Sequence, residues 1–463
     1  MAQWTGKKVL IIGAARQGTA LARFLANRGA TVVLNDRRSE QELADVQTEL
    51  SDLAIQWVTG SHPVEILEGV DLLCLSGGVP LELDLVQEAL RRHIPLSNDS
   101  QIFFDEAPCP IIGITGSSGK TTTTALVGEI AQRHFTIRKP EHKVWVGGNI
   151  GNPLISVVDA MDPQDLAIVE LSSFQLQLMS RSPQIAAILN LKPDHLDRHQ
   201  TMSNYISAKS NILTHQSPGD IAVLNRDDPL VRELYSEVKG RQITFGINEP
   251  YQKIDSTYVK RDKLLLQASG QLAKIVKKDQ INLRGEHNLY NVLAAIAISA
   301  AARFSLQSIY EGIVGFEGVP HRLSFVREWG GASWYNDSIA TSPERARAAL
   351  ESFEEPIILL AGGRDKDLPW QGFIDLITQK VDHLIVFGEA SDLILDTMGE
   401  INPGSRPYTI DQCKGLEEAV QKAAEHVEPG DVVLLSPGGT SFDEFKDFEE
   451  RGKRFIQWVN KLT

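Results

Sequence analysis

Short apolar runs, each about one strand long, alternate with amphipathic helical stretches along nearly the whole chain. This alternation constrains the fold more than any other feature. Examples are KVLIIG at Lys8–Gly13, TVVLND at Thr31–Asp36, PIIGITG at Pro110–Gly116, LAIVELSS at Leu166–Ser173, PIILLAGG at Pro356–Gly363 and DVVLLSPGG at Asp431–Gly439. Near-continuous apolar runs are strands buried on both faces, so the pattern predicts α/β units with largely parallel sheets. Several runs end in glycine-rich or polar loops, where such sheets bind ligands.

The chain has 463 residues. At roughly 100–200 residues per domain, this predicts three domains. A first boundary is placed near Asn98, before the strand at Pro110–Thr115. A second falls at Gly318-Val319-Pro320, after a helix over Asn288–Phe304. The expected units are therefore 1–98, 99–318 and 319–463. Tyr251–Gln280 is less regular and is expected to add small antiparallel strands to the middle unit.

Net charge is -14, which argues against nonspecific nucleic-acid binding but permits a locally basic cleft for anionic substrates. Three scattered cysteines, Cys74, Cys109 and Cys413, give neither a zinc pattern nor a disulfide framework and fit a reducing compartment. The N-terminus runs straight into a strand without a signal-peptide pattern, and the longest helical apolar stretch, Val292–Ala302, is too short to span a bilayer. The expectation is a cytoplasmic protein with no membrane insertion.

Gly13-Ala14-Ala15-Arg16-Gln17-Gly18 lies between a strand and a helix, with Asp36 after the next strand. It is a degenerate dinucleotide fingerprint, because Ala15 stands where a glycine lets pyrophosphate approach the backbone. A helix N-terminus facing an anion and a plain βαβ turn both remain open here. Thr115-Gly116-Ser117-Ser118-Gly119-Lys120-Thr121 is a more specific signal. It is a strand–loop–helix phosphate cradle, shortened because Ile114 replaces the usual first glycine. Lys120 would reach the β- and γ-phosphates, and the Thr121 hydroxyl would bind Mg²⁺.

Glu170, at a strand's C-terminal end, suits Mg²⁺ coordination, although a solvated strand-end charge is the simpler reading of that residue alone. Asn190–His199 (NLKPDHLDRH) suggests a metal- or phosphate-facing loop or a structural one. Its histidines are four apart without an HExxH pattern, so zinc is a poor fit. Lys209, in a helix over Asn204–Leu213, reads alone as a surface lysine. Polar loops at His321-Arg322, Asn336-Asp337-Ser338, Gly362–Lys366 and Ser436–Ser441 suggest a site for a small charged molecule.

Taken together, ITGSSGKTTT, GGNIG at Gly147–Gly151, VELSSFQL, LNLKPDHLDRH, YISAKSNI, GEHNLYN, VPHRL, YNDSIATSP and LSPGGTSFDEFKDFEERG resemble the Mur ligases across essentially the whole chain. Within that family the pattern resembles the D-glutamate-adding members. The motif Asp-Asn-Pro-Arg and the Gly-Lys-Gly-His-Glu loop of the diaminopimelate- or lysine-adding members are missing from it. The resemblance implies a Rossmann-like N-terminal domain, a P-loop-type central ATPase domain and a Rossmann-like C-terminal domain. It implies ATP-dependent joining of D-glutamate to UDP-N-acetylmuramoyl-L-alanine through an acyl-phosphate, by an enzyme expected to be a monomer.

The site residues the resemblance implies fall into three groups. The nucleotide sugar would meet Ala15, Arg16, Asp36, Arg37, Ser76, Gly77, Asn149 and Ser172. ATP would meet Gly116, Ser117, Ser118, Gly119, Lys120, Thr121, Thr122, Asn288, Asn291, Arg322 and Asp337. D-Glutamate would meet Lys366, Ser441 and Phe448. Two Mg²⁺ sites are implied: Thr121 and Glu170 would hold one, and His195 and Lys209, the latter as a carbamate, would support the other. Lys120, Glu170, His195 and Lys209 form the implied catalytic set. Many relatives have lysine after Asn-Asp-Ser, where this chain has Ile339. Arg364 and Lys366 are the candidate replacements. Other readings are a ligase of the same superfamily adding a different amino acid or extending folate with glutamate, a P-loop ATPase regulator and, more distantly, a dehydrogenase.

Overall fold

The computed structural model describes residues 3–149, 151–251, 254–400, 402 and 404–463, and of Asp197 only the backbone. Ile150, inside the Gly147–Gly151 motif, lies outside the described residues, as does the Asp197 side chain of the LDRH segment.

Contact density divides the chain into two compact units, one of residues 1–281 with 289–315 and one of 282–288 with 316–463. The first unit holds two sheets. One comprises β1 (Lys8–Ile12), β2 (Thr31–Asp36), β3 (Ile55–Thr59), β4 (Leu72–Leu75) and β5 (Leu96–Ser97), in the order β3-β2-β1-β4-β5. All its pairings are parallel. The order reverses at β1, and the carboxyl ends on either side of that switch form a crevice suited to ligands.

The other sheet comprises β6 (Ile111–Thr115), β7 (Val144–Gly148), β8 (Leu166–Glu170), β9 (Ile185–Ile188), β10 (Ile221–Asn225), β11 (Arg241–Phe245), β12 (Ser256–Lys260), β13 (Lys263–Ala268) and β14 (Gln271–Lys277). Its order is β14-β13-β12-β11-β10-β9-β6-β8-β7. Pairings from β7 to β12 are parallel, whereas β12–β13 and β13–β14 are antiparallel. The irregular Tyr251–Gln280 stretch thus supplies a meander at one edge. The phosphate loop follows the central strand β6, flanked by β8 and β9.

These two sheets share one apolar core. Leu21 and Leu25 of the helix Arg16–Asn27, Phe103 and Phe104 of the helix Asp99–Glu106, and Ile111, Val169 and Tyr205 all belong to it. Asn98, where a boundary is expected, is buried. It caps Asp99–Glu106 by accepting from the Gln101 N–H at 2.8 Å and donates to the Gln175 carbonyl at 2.8 Å. A junction sealed in this way is a packed seam rather than a linker.

The second unit holds β15 (Ser324–Trp329), β16 (Ala332–Asn336), β17 (Ile357–Gly362), β18 (Val381–Phe387), β19 (Thr409–Cys413) and β20 (Val432–Gly438), in the order β15-β16-β20-β17-β18-β19. Only the β15–β16 pairing is antiparallel. Apolar clusters cover both faces of the sheet, which is why β17, β18 and β20 read as unbroken hydrophobic runs. Among the described residues no helix is long and apolar enough to cross a membrane.

Candidate active site

In the first unit, the turn after β1 is shaped by glycine. A Cβ on Gly18 would sit 1.8 Å from the Gly13 carbonyl oxygen, so only glycine lets the helix approach β1 this closely. Ala15 caps that helix without a side-chain hydrogen bond, leaving its first-turn N–H groups to other acceptors. Ala15, Arg16 and Arg37 are exposed. Asp36 is buried and accepts from the Ala14 N–H at 2.8 Å and from Arg38 Nη2 at 2.9 Å. Burial opposes its ionisation, but the Arg38 and Ala14 hydrogen bonds outweigh burial and hold the carboxyl well below its ordinary range.

Ser76 donates to the Gly13 carbonyl at 2.9 Å and, with Gly77, lines an open cleft. Phe174, Leu178 and Arg198 line its other wall, and Arg198 donates to the Gly78 carbonyl at 3.0 Å. The cleft therefore runs between the carboxyl edge of the first sheet and the loops of the second. No motif pointed to Phe174 as a wall residue. The only available signal was its place directly after the Glu170–Ser173 strand end.

The phosphate loop is clamped to the segment after β9. Ser117 N–H donates to the Asn190 carbonyl at 2.9 Å, and Ser118 N–H to Asn190 Oδ1 at 2.9 Å. Ser117 Oγ donates to the Lys192 carbonyl and accepts its N–H, at 2.9 and 2.8 Å. Gly119, at φ +84°, starts the helix Lys120–Arg138, and a Cβ there would lie 2.2 Å from Asn291 Oδ1. Thr122 is buried in that helix.

Two lysines converge on one carbonyl of this loop. Lys120 Nζ donates to the Gly116 carbonyl at 2.8 Å and the Ser117 carbonyl at 3.0 Å. Lys209 Nζ donates to the same Gly116 carbonyl at 2.9 Å and to Thr115 Oγ1 at 3.3 Å. Lys209 is 2% exposed, against the surface position its sequence context gave it. Burial, and then the Lys120 charge, hold its ammonium well below the ordinary range.

Glu170 is buried, accepting from Thr121 Oγ1 at 2.9 Å and Asn149 Nδ2 at 3.0 Å. Its partners are neutral donors, so among the described residues this strand-end carboxylate has no ion pair within 4.0 Å. That oxygen-rich, anionic setting fits a hard divalent cation. Ser172 caps a short helical turn through a reciprocal capping box with Gln175. His195 is exposed in the left-handed region at φ 53°, with Nε2 3.5 Å from Asp194 Oδ2. His199 is the buried one. Its ring stacks on Phe174 at 5.0 Å and its Nε2 meets Ser173 Oγ at 2.9 Å.

In the second unit, the expected residues lie at the carboxyl ends of β16, β17 and β20. Asp337 is buried, taking a 2.9 Å hydrogen bond from Ser436 Oγ and a 3.1 Å bond from the Leu323 N–H. Burial pushes its carboxyl up to about 7, with Arg322 and Arg345 only partly opposing this. Ser338 Oγ donates to the Phe448 carbonyl at 2.8 Å, and Ser441 is 2% exposed. Asn288 Nδ2 donates to the Arg284 carbonyl at 2.7 Å. Arg364 is held by Glu389 through two bonds of 2.7 and 2.9 Å, which commits its charge elsewhere. Lys366 is exposed. Arg451 was not singled out in sequence, although it is fully buried beside these loops. Its position one turn into a helix that follows a glycine-rich loop was the available clue.

Sequence models of three domains match in chain order: "Mur ligase MurD-like, N-terminal domain" at residues 7–97, "Mur ligase middle domain" at 114–299 and "Mur ligase, glutamate ligase domain" at 321–439. A protein of Symbiobacterium thermophilum named UDP-N-acetylmuramoylalanine–D-glutamate ligase is 40% identical over 457 residues, covering 99% of this chain and 98% of that one. The chain belongs to the Mur ligase family. A Pelotomaculum thermopropionicum protein of the same name is 39% identical over 460 residues, covering 99% and 98% of the two chains. Among solved structures, the UDP-N-acetylmuramate-alanine ligase of Thermotoga maritima shares this Mur ligase fold, with TM-score 0.58 and 21% identity over 98% of this chain and 99% of that one. A pseudomurein peptide ligase type C of Methanothermus fervidus does so at TM-score 0.54 and 19% identity, over 99% and 100%.

Proposed function

We propose that this Mur ligase joins the carboxylate of UDP-N-acetylmuramoyl-L-alanine to the amine of D-glutamate and converts ATP to ADP and phosphate in doing so. The carrying observation is the strand-end group in which Lys120 and Lys209 share the Gly116 carbonyl while Thr121 and Asn149 hold the buried Glu170. The names of the full-length relatives support the two substrates.

A carboxylate is a poor electrophile, so the γ-phosphoryl group is transferred to it first, giving an acyl-phosphate that the amine attacks. The two anions repel each other by about 4 kcal/mol at 4 Å and an effective dielectric near 20. Unrelieved, that is roughly a thousandfold in rate. Lys120 would offset this repulsion at the phosphates. Ser117, Ser118, Gly119 and Thr122 would shape the loop around them, with Asn291 braced against Gly119 and Asn288, Arg322 and Asp337 supporting the nucleotide. Thr121 and Glu170 would hold one Mg²⁺, and His195 with Lys209 a second. Bound Mg²⁺ would neutralise phosphate charge.

Lys209 would act as its carbamate. Burial shifts this amine toward its neutral form, and only the neutral amine attacks CO₂, releasing one proton as the C–N bond forms. The cleft beside Ser76 and Gly77 would take the nucleotide sugar, with Ala15, Arg16, Asp36 and Arg37 at the neighbouring strand ends and Asn149 and Ser172 toward its reacting end. Lys366, Ser441 and Phe448 would receive D-glutamate. On this reading the working domains are 1–98, 99–318 and 319–463, and the enzyme acts as a cytoplasmic monomer.

The test is phosphate release with UDP-N-acetylmuramoyl-L-alanine and each of several D- and L-amino acids. Only D-glutamate should give ATP-dependent amide product. Turnover with an L-amino acid or with a folate acceptor instead would overturn the assignment. Sedimentation at the mass of one chain would be the monomer's signature.

A further inference from the structure

Arg451 is 0% exposed, yet its five hydrogen bonds all run to neutral acceptors. They reach Ser338 Oγ at 3.0 Å, the Ser338 carbonyl at 2.8 Å, the Thr440 carbonyl at 3.0 Å and the Gly439 carbonyl twice at 3.2 Å. One buried guanidinium thereby fastens the loop after β16 to the loop after β20. The loop after β17 joins them, because Arg364 and Thr440 exchange backbone hydrogen bonds of 2.9 and 2.8 Å. Lys366 follows two residues later on that fastened loop. Arg345 lies in the first turn of the helix Pro343–Leu350, which begins where the loop after β16 ends.

Arg345 and Lys366 make no side-chain hydrogen bond or ion pair among the described residues. Their neighbours are engaged. Arg347 on the same helix pairs with Glu351 at 3.1 Å, and Arg364 is held by Glu389. Although Lys366 is exposed, partial desolvation of its ammonium and then the charges of Arg345 and Arg451 hold it below its ordinary range. Asp337, the nearby acid, takes its hydrogen bonds from Ser436 and the Leu323 N–H rather than from either cation. Ile339 in the same loop offers no charge. Cations gathered on rigid loops with no carboxylate bonded to them among the described residues repel one another, and an anionic ligand relieves that repulsion.

We propose that Arg345 and Lys366 form a two-cation clamp for the carboxylates of the incoming amino acid, with Arg345 supplying the charge that makes a dicarboxylic amino acid the preferred acceptor. The inference rests on the amide-ligase reading above and names the specificity determinant of that site. A guanidinium is suited to the role because its fork can grip a carboxylate through two parallel N–H bonds. Arg345 is near the loops through helix placement alone, so no motif marks it.

The experiment is steady-state kinetics on the full-length enzyme with ATP, the nucleotide sugar and either D-glutamate or D-glutamine, for wild type, Arg345→Gln, Arg345→Lys and Arg347→Gln. A charge-assisted contact to a carboxylate predicts that Arg345→Gln raises the D-glutamate KM about tenfold to a hundredfold. The KM values for ATP and the nucleotide sugar should not move. Preference for D-glutamate over D-glutamine should narrow by the same factor, and Arg345→Lys should recover part of it. Arg347→Gln removes the same charge from the same helix and should behave as wild type. An unchanged D-glutamate KM in Arg345→Gln, or a rise in the ATP KM instead, overturns the clamp. Wild-type use of another dicarboxylic amino acid would sink the D-glutamate assignment and leave the clamp standing. Use of monocarboxylic amino acids alone would sink both.

Discussion

The strand ends of the central sheet and those of the C-terminal sheet both collect basic side chains, but they hold them differently. After β6, Lys120 and Lys209 are drawn onto backbone carbonyls, sharing that of Gly116, and the nearby acid Glu170 is held by neutral donors. After β16 and β17, Arg345 and Lys366 make no side-chain hydrogen bond or ion pair among the described residues, while the buried Arg451 uses its five bonds to fasten the loops. On the proposed reading, the first arrangement would fix where charge sits when phosphate reacts. The second keeps charge exposed to whatever arrives. Preorganised charge acts on the transition state, whereas charge exposed to an incoming ligand acts mainly on its affinity. Substitutions in the two places should therefore differ in kind as well as size.

The largest effect is expected at Lys120. Lys120→Ala should lower kcat on the order of a thousandfold while circular dichroism stays native, because one phosphate-neutralising charge is lost from an intact loop. Near-wild-type turnover would remove the central site from the chemistry and break the comparison. Lys209→Ala should lower activity by roughly a hundredfold, the scale of losing a group that supports a metal ligand set. Acetate should restore part of that loss by returning an anionic oxygen, and removing dissolved CO₂ should depress the wild type. An exposed lysine would instead shift stability by less than about 0.5 kcal/mol and leave turnover alone. Normal turnover at low magnesium in Lys209→Ala would rule out the carbamate.

The same contrast explains what could be read from the sequence. The parallel α/β architecture was legible because strands such as β17 and β20 are buried on both faces and so appear as unbroken apolar runs. The phosphate loop was legible because glycine and Lys-Thr occupy fixed places between a strand and a helix. Taken alone, Lys209 reads as a surface residue because an isolated lysine has no local signature of burial; only the family resemblance drew it into the site. Its neighbours on the helix, Tyr205, Ala208 and Ile212, do mark a buried face. Arg345 and Arg451 were invisible for a related reason: their setting comes from loops distant in sequence. The seam at Asn98 was hidden because its seal is made with Gln175, 77 residues away.

The last contrast concerns the stability contributions of two carboxylates rather than turnover, and it sharpens the comparison by sign. Asp36 follows β2 and is held ionised by Arg38 and the Ala14 N–H, so its folded value lies below the unfolded one. Its contribution is present above the unfolded value near 3.8 and is lost as pH falls through the folded value. Asp337 follows β16 and takes hydrogen bonds from Ser436 and the Leu323 N–H, and burial raises its carboxyl from 3.8 to about 7. Its contribution is complete below pH 3.8 and is lost as pH rises through about 7, because over that window the unfolded chain gives up a proton that the folded chain keeps. The window of about three pH units corresponds to roughly 4 kcal/mol as a ceiling. Asp337→Asn cannot titrate. In chemical denaturation of the ligand-free protein, wild-type stability relative to this variant should therefore fall between pH 4 and pH 7 and level off above. Asp36→Asn should show no such fall, its difference shrinking only in acid. Should the Asp337→Asn difference grow with pH instead, the carboxylate is ionised in the folded protein. The C-terminal strand ends would then pair their charges as the first sheet does, and Arg322 or Arg345 would already be spent on Asp337.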